Sequence, residues 1–251
     1  MIMSEGYTSG TDSMRAPYGL EIIESCVTRP HREERLFHDL SPAAAHLLST
    51  ITSPAAYPKG ATLFVEGQAP RGVFIVCAGR VKLSTASADG KTLIARISEP
   101  GEVLGLPATV TGKPYGLTAD VIEPTQANFI PRGSFLKFLR ENGDAALRVA
   151  QQLGETYHAA IREMRMIGLS HSAGEKLAQF LFDNSAQHAD GKDQVKFVLA
   201  FTHEEIGQMI GATRETVSRA FAELKKKRVI QVKGSALTIP SRAALEKLIH
   251  T

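Results

Sequence analysis

The stretch "FTHEEIGQMIGATRETVSRAFAELKKK", residues 201–227, carries the signals for two helices separated by a short turn. Thr202, with Glu205 three positions later, predicts a helix start at which the two side chains cap each other's backbone N–H groups. Gly211 ends that helix, and Thr213 can cap a second one. Helix, three-residue turn and helix together predict a helix-turn-helix motif.

The second predicted helix, residues 213–226, separates into an apolar and a polar face at helical spacing. The apolar face is expected to dock on the first helix through Val217, Ala220, Phe221 and Leu224. The polar face carries Arg214, Glu215, Ser218 and Arg219. Arginine can donate twice to guanine O6 and N7, glutamate can accept from cytosine N4, and serine can serve a base or a phosphate. This face is therefore equipped for a DNA major groove.

The residues after this helix extend the same interpretation. The segment "RVIQVKGSALTIP", residues 228–240, predicts two strands around a Gly-Ser turn, a wing beside the recognition helix. Residues 201–251 hold nine Lys/Arg against five Asp/Glu, whereas the first 200 residues hold 20 against 21, so the basic charge is local. Cations from Lys225 to Arg228 and Lys233 are placed to meet phosphates. The predicted DNA contacts are Thr202, Thr213, Arg214, Glu215, Thr216, Ser218, Arg219, Lys225, Lys226 and Lys233.

The first half of the chain has a different pattern. Nine glycines between positions 60 and 116 separate short apolar runs such as "GVFIVCAG" and "GEVLGLPATVTG". This rhythm predicts a jelly-roll-like β-barrel over residues 35–142, preceded by a helix near residues 41–51 and a flexible N-terminal segment, residues 1–34. The chain is therefore expected to be α+β, with the sensor domain first and the helix-turn-helix domain, residues 171–251, last.

A long helix is predicted between the two domains, over residues 143–170. Apolar and small residues recur there at alternating steps of four and three, which keeps them on one stripe. Such a stripe either packs on the chain's own β-domain or pairs two identical helices, and small alanines over three heptads favour a homodimer. The predicted dimer residues are Ala146, Ala150, Leu153, Tyr157, Ala160, Met164 and Ile167.

Composition sets wider limits. No run approaches the ~18 apolar residues of a membrane span, and residues 1–19 lack the pattern of a secretory signal, so we expect a cytoplasmic protein. The two cysteines, Cys26 and Cys77, make no disulfide framework and fit a reducing compartment. Cys77, among Ile75, Val76 and Ala78, is expected to be a small core residue.

In the order of its predicted domains and in its motifs, the chain resembles the CRP/FNR superfamily of bacterial transcription regulators over roughly residues 35–250. The resemblance is carried by "LFVEGQAPRGVFIVCAGRVKL", "GEVLGLPA", "IPRGSFLKFL" and "EEIGQMIGATRETVSR". It implies a cyclic-nucleotide-binding-like β-roll, a dimer helix and a winged helix-turn-helix. It also implies palindromic DNA with TGA half-sites, in which Arg219 reads guanine and Glu215 the opposing cytosine. The implied partners are DNA, a second copy of the chain and RNA polymerase.

The sensor departs from the cyclic-AMP-binding pattern of this superfamily. Its ribose-binding glutamate is replaced by Leu106, and its phosphate-binding Arg-Ser pair by Tyr115-Gly116. A buried phosphate needs a paired positive charge, so cyclic AMP is not the expected effector. The predicted effector pocket comprises Gly101, Glu102, Leu104, Leu106, Tyr115, Gly116 and Leu117.

We expect the β-domain to respond to an unidentified signal, and three alternatives stay open. The first is a degenerate scaffold on a constitutive DNA-binding dimer. A haem or iron-sulfur cluster could use Cys26, His31 or His38, although FNR-type clusters need four thiolates and this chain has two cysteines. A cupin-like metalloenzyme is the remote alternative, but no histidine lies in the predicted strands and no catalytic motif appears, so neither an enzyme nor a metal site is expected.

Overall fold

The computed structural model describes residues 17–20, 36–37, 40–168, 172–186, 188–189 and 193–249. They fall into two compact units. One unit runs as far as Leu83 and continues with Ile97–Leu153, and the other contains Ser84–Arg96 and the residues from Gly154 onward.

Two four-stranded sheets form a β-roll. The first has the strand order β1-β8-β3-β6 and the second β2-β7-β4-β5. The strands are β1 Ser53–Tyr57, β2 Thr62–Phe64, β3 Gly72–Ala78, β4 Val81–Ala86, β5 Thr92–Ser98, β6 Val103–Leu104, β7 Thr118–Val121 and β8 Thr125–Pro131. The predicted jelly-roll-like β-domain is therefore confirmed, as a roll of two separate sheets and not as a closed barrel. The first sheet ends at β1 on one side and at the two-residue β6 on the other, so it does not join the second sheet.

Strand β3 is buried along almost its whole length because both of its faces are covered. Val73, Ile75 and Cys77 point into one apolar cluster, which also contains Phe135, Phe138 and Val149 from helices. Phe74 and Val76 point into the roll interior, a second cluster. This arrangement explains the unbroken apolar run "GVFIVCA".

Four helices belong to this part of the chain: α1 Pro42–Thr50, α2 Leu106–Thr111, α3 Arg132–Glu141 and α4 Gly143–Gly168. The α1 helix begins where the Ser41 hydroxyl accepts from the Ala44 N–H, with Pro42 at the first helical position. The α2 segment was read as part of a strand pattern, which is wrong. Gly105 and Gly112, both left-handed, bound this helix at its two ends.

The rest of the chain forms a helical unit with a small sheet. Its elements are α5 Ala173–Ala186, β9 Val195–Val198, α6 His203–Ile210, α7 Arg214–Lys226, β10 Gln231–Lys233, β11 Ala236–Ile239 and α8 Arg242–Glu246. The sheet has the order β10-β11-β9, with antiparallel pairs. One apolar cluster joins these elements, centred on Leu177, Leu181, Ile206, Val217 and Leu237. The predicted α+β class, long helix, helix-turn-helix and wing are confirmed, while β9 and α8 had not been predicted.

Candidate DNA-binding surface and sensor core

The α6 helix starts with the predicted reciprocal cap. The Thr202 hydroxyl accepts from the Glu205 N–H at 3.2 Å, and the Glu205 carboxylate accepts from the Thr202 N–H at 2.7 Å. The Thr202 hydroxyl also donates to the same carboxylate, at 2.9 Å. Thr202, a predicted DNA contact, therefore has its polar groups engaged in starting the helix.

The turn between α6 and α7 depends on two glycines. Gly211 closes α6 with φ 66°, a left-handed conformation that favours glycine. At Gly207 the restriction is space, because a Cβ there would lie 2.6 Å from the carbonyl oxygen of Ala212. The Ala212 N–H donates to the Gly207 carbonyl at 2.8 Å. Glycine at position 207 lets the turn fold back onto α6, which sets the direction of α7.

The α7 helix has the two predicted faces. Val217, Ala220, Phe221 and Leu224 are buried against a core that includes Ile206 and Ile210, with Met209 packed partly against it. Arg214, Glu215, Ser218 and Arg219 are all exposed. The Thr213 hydroxyl caps the helix by accepting from the Thr216 N–H at 3.3 Å. The helix therefore presents two guanidinium groups, a carboxylate and a hydroxyl on one open face.

Hydrogen bonds on the exposed face orient part of this set. The Thr213 and Thr216 hydroxyls lie 3.0 Å apart, and Arg219 Nη2 donates to Thr216 Oγ1 at 3.4 Å. Thr216 therefore steadies the Arg219 guanidinium from one turn away. Arginine held in this way loses less freedom when it meets a base.

A further contact, between α6 and α7, was not foreseen from the sequence. Nδ1 of His203 lies 2.9 Å from Ser218 Oγ, and Ser218 Oγ donates to the Arg214 carbonyl at 3.0 Å. The imidazole ring stacks on Phe221, with centroids 4.6 Å apart and 10° between planes. Burial, assisted by the charges of Lys225 and Arg214, holds the pKa of His203 below its usual value. The helix crossing brings together residues 15 positions apart, which no local pattern signals.

Basic residues follow α7 and reach the wing. Lys225, Lys226 and Lys233 are exposed, as predicted for phosphate contacts. Arg228 has a φ of 57°, at a position where glycine is usual. The Val229 N–H donates to the Leu224 carbonyl at 3.0 Å and the Arg228 N–H to the Lys225 carbonyl at 2.9 Å, the bond pattern of a Schellman motif. The recognition helix is thus followed by Arg228, whose backbone has the left-handed conformation that residues with a side chain rarely adopt.

The exposed apolar stripe of α4 overlaps the predicted one and differs from it toward the start of the helix. Ala145 and Val149 are buried in the chain's own core, and Leu153 packs partly against that core. Ala150, Tyr157, Ala160 and Met164 are exposed and Ala146 is half-buried, while the side chain of Ile167 lies outside what the structure describes. Leu147, which had not been predicted, is 60% exposed, and Tyr157 is 63% exposed. An apolar stripe this exposed is suited to covering by another chain.

The predicted effector residues do not surround one common space. Leu104 and Tyr115 lie in the roll interior, whereas Leu106 belongs to the cluster on the other side of the first sheet. Gly101, Glu102 and Leu117 are half-buried, and Gly116 is exposed. The residue that dominates the interior is Tyr115, with 3% of its surface exposed.

Tyr115 fills the interior next to other aromatic rings. It stacks on Phe64 with ring centroids 4.1 Å apart, and Phe64 lies 5.9 Å from Phe74. The Tyr115 hydroxyl donates to the Gly72 carbonyl at 2.7 Å and accepts from the Arg71 and Gly72 N–H groups at 3.1 and 3.2 Å. Gly105 makes room for the ring, because a Cβ there would lie 2.8 Å from Tyr115 Cε1. All three hydrogen-bonding positions of the hydroxyl are thus used.

The predicted alternative ligands of a haem or iron-sulfur cluster, Cys26, His31 and His38, lie outside the described residues. Within the described ranges, no group of three or more His, Cys, Asp or Glu side chains could hold a metal ion. Cys77 is buried, as expected of a core residue. No helix in those same ranges is long and apolar enough to cross a membrane.

Comparisons with known proteins match both parts of the chain. A cyclic nucleotide-binding domain matches residues 54–142 and a Crp-like helix-turn-helix domain matches residues 175–248. The chain is 28% identical over 194 residues to the fumarate and nitrate reduction regulatory protein of Vibrio cholerae, covering 76% of each chain. It is 22% identical over 212 residues to the CRP-like cAMP-activated global transcriptional regulator of Mycobacterium tuberculosis, covering 84% of this chain and 95% of that protein. FixK2 from Bradyrhizobium japonicum has a similar structure, with TM-score 0.69 and 25% identity over 79% of this chain and 97% of FixK2.

A β-roll, a long helix and a winged helix-turn-helix with an open polar face define a DNA-binding transcription regulator. The chain belongs to the CRP/FNR superfamily of such regulators. The relatives described above come from bacteria.

Proposed function

We propose that this regulator binds palindromic DNA with TGA-containing half-sites through the exposed face of α7. The observation that carries the proposal is that Arg214, Glu215, Ser218 and Arg219 are all exposed on a helix whose opposite face is buried. In this proposal Arg219 donates to guanine O6 and N7, and Glu215 accepts from the N4 amino group of the opposing cytosine. Bound at a promoter, the protein would act on transcription together with RNA polymerase.

Exposed cations in the last turn of α7 and in the wing would provide affinity without sequence preference. Lys225 and Lys226 lie in the last turn of α7, and Lys233 ends β10 in the wing. Each phosphate contact releases counterions, so binding should weaken steeply with salt. Thr213 and Thr216 would act through α7, by starting the helix and steadying Arg219.

Selection from random DNA tests these roles, with Arg219→Ala and Lys226→Ala as a matched pair. The wild type should enrich a palindrome containing TGA, with half-site centres about 10 base pairs apart. Arg219→Ala should lose preference at the guanine, a loss of about 1–3 kcal/mol per half-site. Lys226→Ala should bind all sequences more weakly by a similar factor and lower the salt slope. If both variants change specificity in the same way, the assignment of roles is wrong.

We also propose that the protein is a homodimer paired along α4. The support is the exposed stripe of Leu147, Ala150, Tyr157 and Met164, which runs along one side of a 26-residue helix. Two copies of this stripe would bury it and place two recognition helices on one DNA. Tyr157→Glu should produce monomers in sedimentation at micromolar concentration, because the charge would be buried without a partner. Glu155→Gln, which also changes one charge at an exposed position but on the side of α4 away from Tyr157, is the control and should remain dimeric.

For the sensor we propose that cyclic AMP does not bind in the β-roll. Tyr115 and Phe64 fill the interior, and the Tyr115 hydroxyl is fully hydrogen-bonded to backbone groups. A nucleotide could enter only by displacing these rings, and its phosphate would lack the arginine that the Tyr115-Gly116 substitution removes. Among the alternatives, this packing favours a roll that acts as a scaffold over one that opens for a nucleotide. Calorimetry with cyclic AMP should show no specific heat, and micromolar binding would contradict the proposal.

A further inference from the structure

The Ser218 hydroxyl is held by two contacts on the protein side. Its oxygen lies 3.0 Å from the carbonyl oxygen of Arg214 and 2.9 Å from Nδ1 of His203. The side chain is nevertheless exposed, on the same face as Arg214 and Arg219. A serine hydroxyl has one hydrogen to donate and two lone pairs that accept. The two protein contacts therefore decide which of these remains for DNA.

We propose that His203 makes Ser218 a hydrogen-bond acceptor toward DNA, so that Ser218 selects an exocyclic amino group, adenine N6 or cytosine N4, at its position in the half-site. The inference rests on the proposed DNA-reading role of α7 and assigns chemistry to one residue of it. In it, His203 is a positioning residue, because it acts on DNA through Ser218.

Counting hydrogens shows that the result does not depend on the tautomer of the imidazole. When Nδ1 carries a hydrogen, it donates to Ser218 Oγ, and the serine hydrogen goes to the Arg214 carbonyl. When only Nε2 carries a hydrogen, Nδ1 accepts the serine hydrogen instead. The doubly protonated ring behaves like the first case. In all three states the serine hydrogen points into the protein and at least one lone pair faces outward.

The imidazole is held well enough to impose this polarity. It stacks on Phe221, which is itself 4% exposed in the core of the unit. His203 is the first residue of α6 and lies between Thr202 and Glu205, which form the reciprocal cap. Both anchors belong to the packed helix pair and neither depends on DNA. The Ser218 oxygen is therefore oriented before binding, which reduces the entropy lost in forming a base contact.

The acceptor role predicts which base atoms matter. In the major groove each base pair shows one amino group, on adenine or cytosine, and also acceptors such as purine N7. An acceptor oxygen gains from the amino group and gains nothing from N7. A freely rotating serine could use either. This difference can be measured with base analogues that remove one atom at a time.

The test begins with the palindrome enriched by the wild type. The base pair whose preference disappears in Ser218→Ala identifies the position read by Ser218. At that pair, one DNA lacks the amino group (purine for adenine, or pyrimidin-2-one for cytosine), and another lacks the purine N7 (a 7-deaza base). We expect the wild type to lose about three- to tenfold in affinity when the amino group is removed and less than about twofold when N7 is removed. Ser218→Ala should be insensitive to both.

Variants at position 203 separate positioning from folding. His203→Asn places a donor near the Nδ1 position and should keep the amino-group preference. His203→Gln reaches the Nε2 position instead, and His203→Phe keeps the ring on Phe221 without any donor. In both variants only the Arg214 carbonyl still holds the serine hydrogen, so the hydroxyl rotates more easily and the two analogue losses should become more similar. Thermal unfolding of each variant checks that the unit is folded.

The outcomes distinguish failure of the proposed DNA reading by α7 from failure of the acceptor role of Ser218. If no palindrome is enriched, the proposed DNA reading by α7 is wrong. If a palindrome is enriched but N7 removal weakens the wild type more than amino removal does, the acceptor assignment is overturned. If folded His203→Gln and His203→Phe keep the wild-type preference, Ser218 is set without His203. Should both variants unfold, the analogue measurements on the wild type and Ser218→Ala still decide the acceptor role.

Discussion

Tyr115→Ala is the perturbation that most directly tests how the β-roll is built. The side chain is 3% exposed, stacked on Phe64, and its hydroxyl bonds three backbone groups. Truncating a buried aromatic ring to alanine costs about 3–5 kcal/mol, because the lost burial is joined by a cavity. For a chain of this size, that should lower Tm by about 6–20 °C. Differential scanning calorimetry of the variant and the wild type measures the shift.

The cavity should also be chemically recognisable. Because the missing group is a phenol ring, p-cresol, which is phenol with one added methyl group, should raise the Tm of Tyr115→Ala by several degrees and leave the wild type unchanged. Tyr115→Phe is the matched control. It keeps the ring but leaves buried groups at Arg71 and Gly72 unpaired, so it should cost about 1–3 kcal/mol and gain nothing from p-cresol.

Two results would refute this account of the interior. One is a Tyr115→Ala variant destabilised by less than about 1 kcal/mol, because removing a ring that fills the roll interior should lower the free energy of unfolding by more than that. The other is stabilisation of the wild type by p-cresol, which would show that the interior already has room. DNA affinity of the p-cresol-filled and empty variants then shows whether the roll interior is coupled to DNA binding or is only a scaffold.

Three further predictions concern the DNA-binding unit. Gly207→Ala should destabilise this unit by about 1–3 kcal/mol in thermal unfolding, because the new Cβ would lie 2.6 Å from the Ala212 carbonyl oxygen. Gly133→Ala is the control. It adds a Cβ on a helix where no other atom lies within 4 Å, so it should be neutral or stabilising. Arg228→Gly should stabilise the unit by about 0.5–1 kcal/mol, because glycine adopts the left-handed backbone conformation of this position without strain. The same change removes a cation, so DNA binding should weaken and the slope of log affinity against log salt should fall by about one for each half-site. The lowered pKa of His203 means that the unfolded chain binds the proton more readily, so stability should fall as pH drops below about 6.5; in pH-dependent melts, His203→Phe should lose this component.

The helix-turn-helix could be predicted because its signals are local. Thr202, Glu205, Gly211 and Thr213 mark the helix ends within a few residues of the groups they cap, and the apolar spacing of α7 is regular. The exposed recognition face then follows from helix geometry alone.

The elements that were not predicted lack a strong local signal of their own type. The β1 strand reads "SPAAY", a poor strand sequence, and exists because its backbone pairs with β8 far along the chain. The α2 segment "LPATVT" has β-branched residues, yet the left-handed glycines at its ends define a helix. Strand β9 alternates buried and exposed residues as a strand should, but it follows a polar loop and was left unassigned.

The same distinction applies to the two candidate sites. The proposed absence of a phosphate-binding pair at Tyr115-Gly116 comes from the sequence, whereas the packing of Tyr115 in the roll interior could not be predicted from it. That packing needs the hydroxyl to reach Gly72, 43 positions away. Likewise, a histidine at the start of α6 carries no local sign that it contacts Ser218 on the next helix. Long-range contacts of this kind need the structure.

Three residues on or just after the recognition helix are not the ones that would make the fold most stable, and all three bear on the proposed DNA contacts. Thr216 and Ser218 are weaker helix formers than alanine, and Arg228 occupies a conformation that favours glycine. None of the three is buried, so packing does not demand them. Each, however, bears on the proposed DNA contacts: Thr216 steadies Arg219, Ser218 offers an oriented oxygen, and Arg228 adds a cation beside Lys225 and Lys226. Residues that weaken a fold without improving its packing are expected where function requires them. Their concentration on and just after α7, opposite its buried face, independently supports this surface as the one that meets DNA.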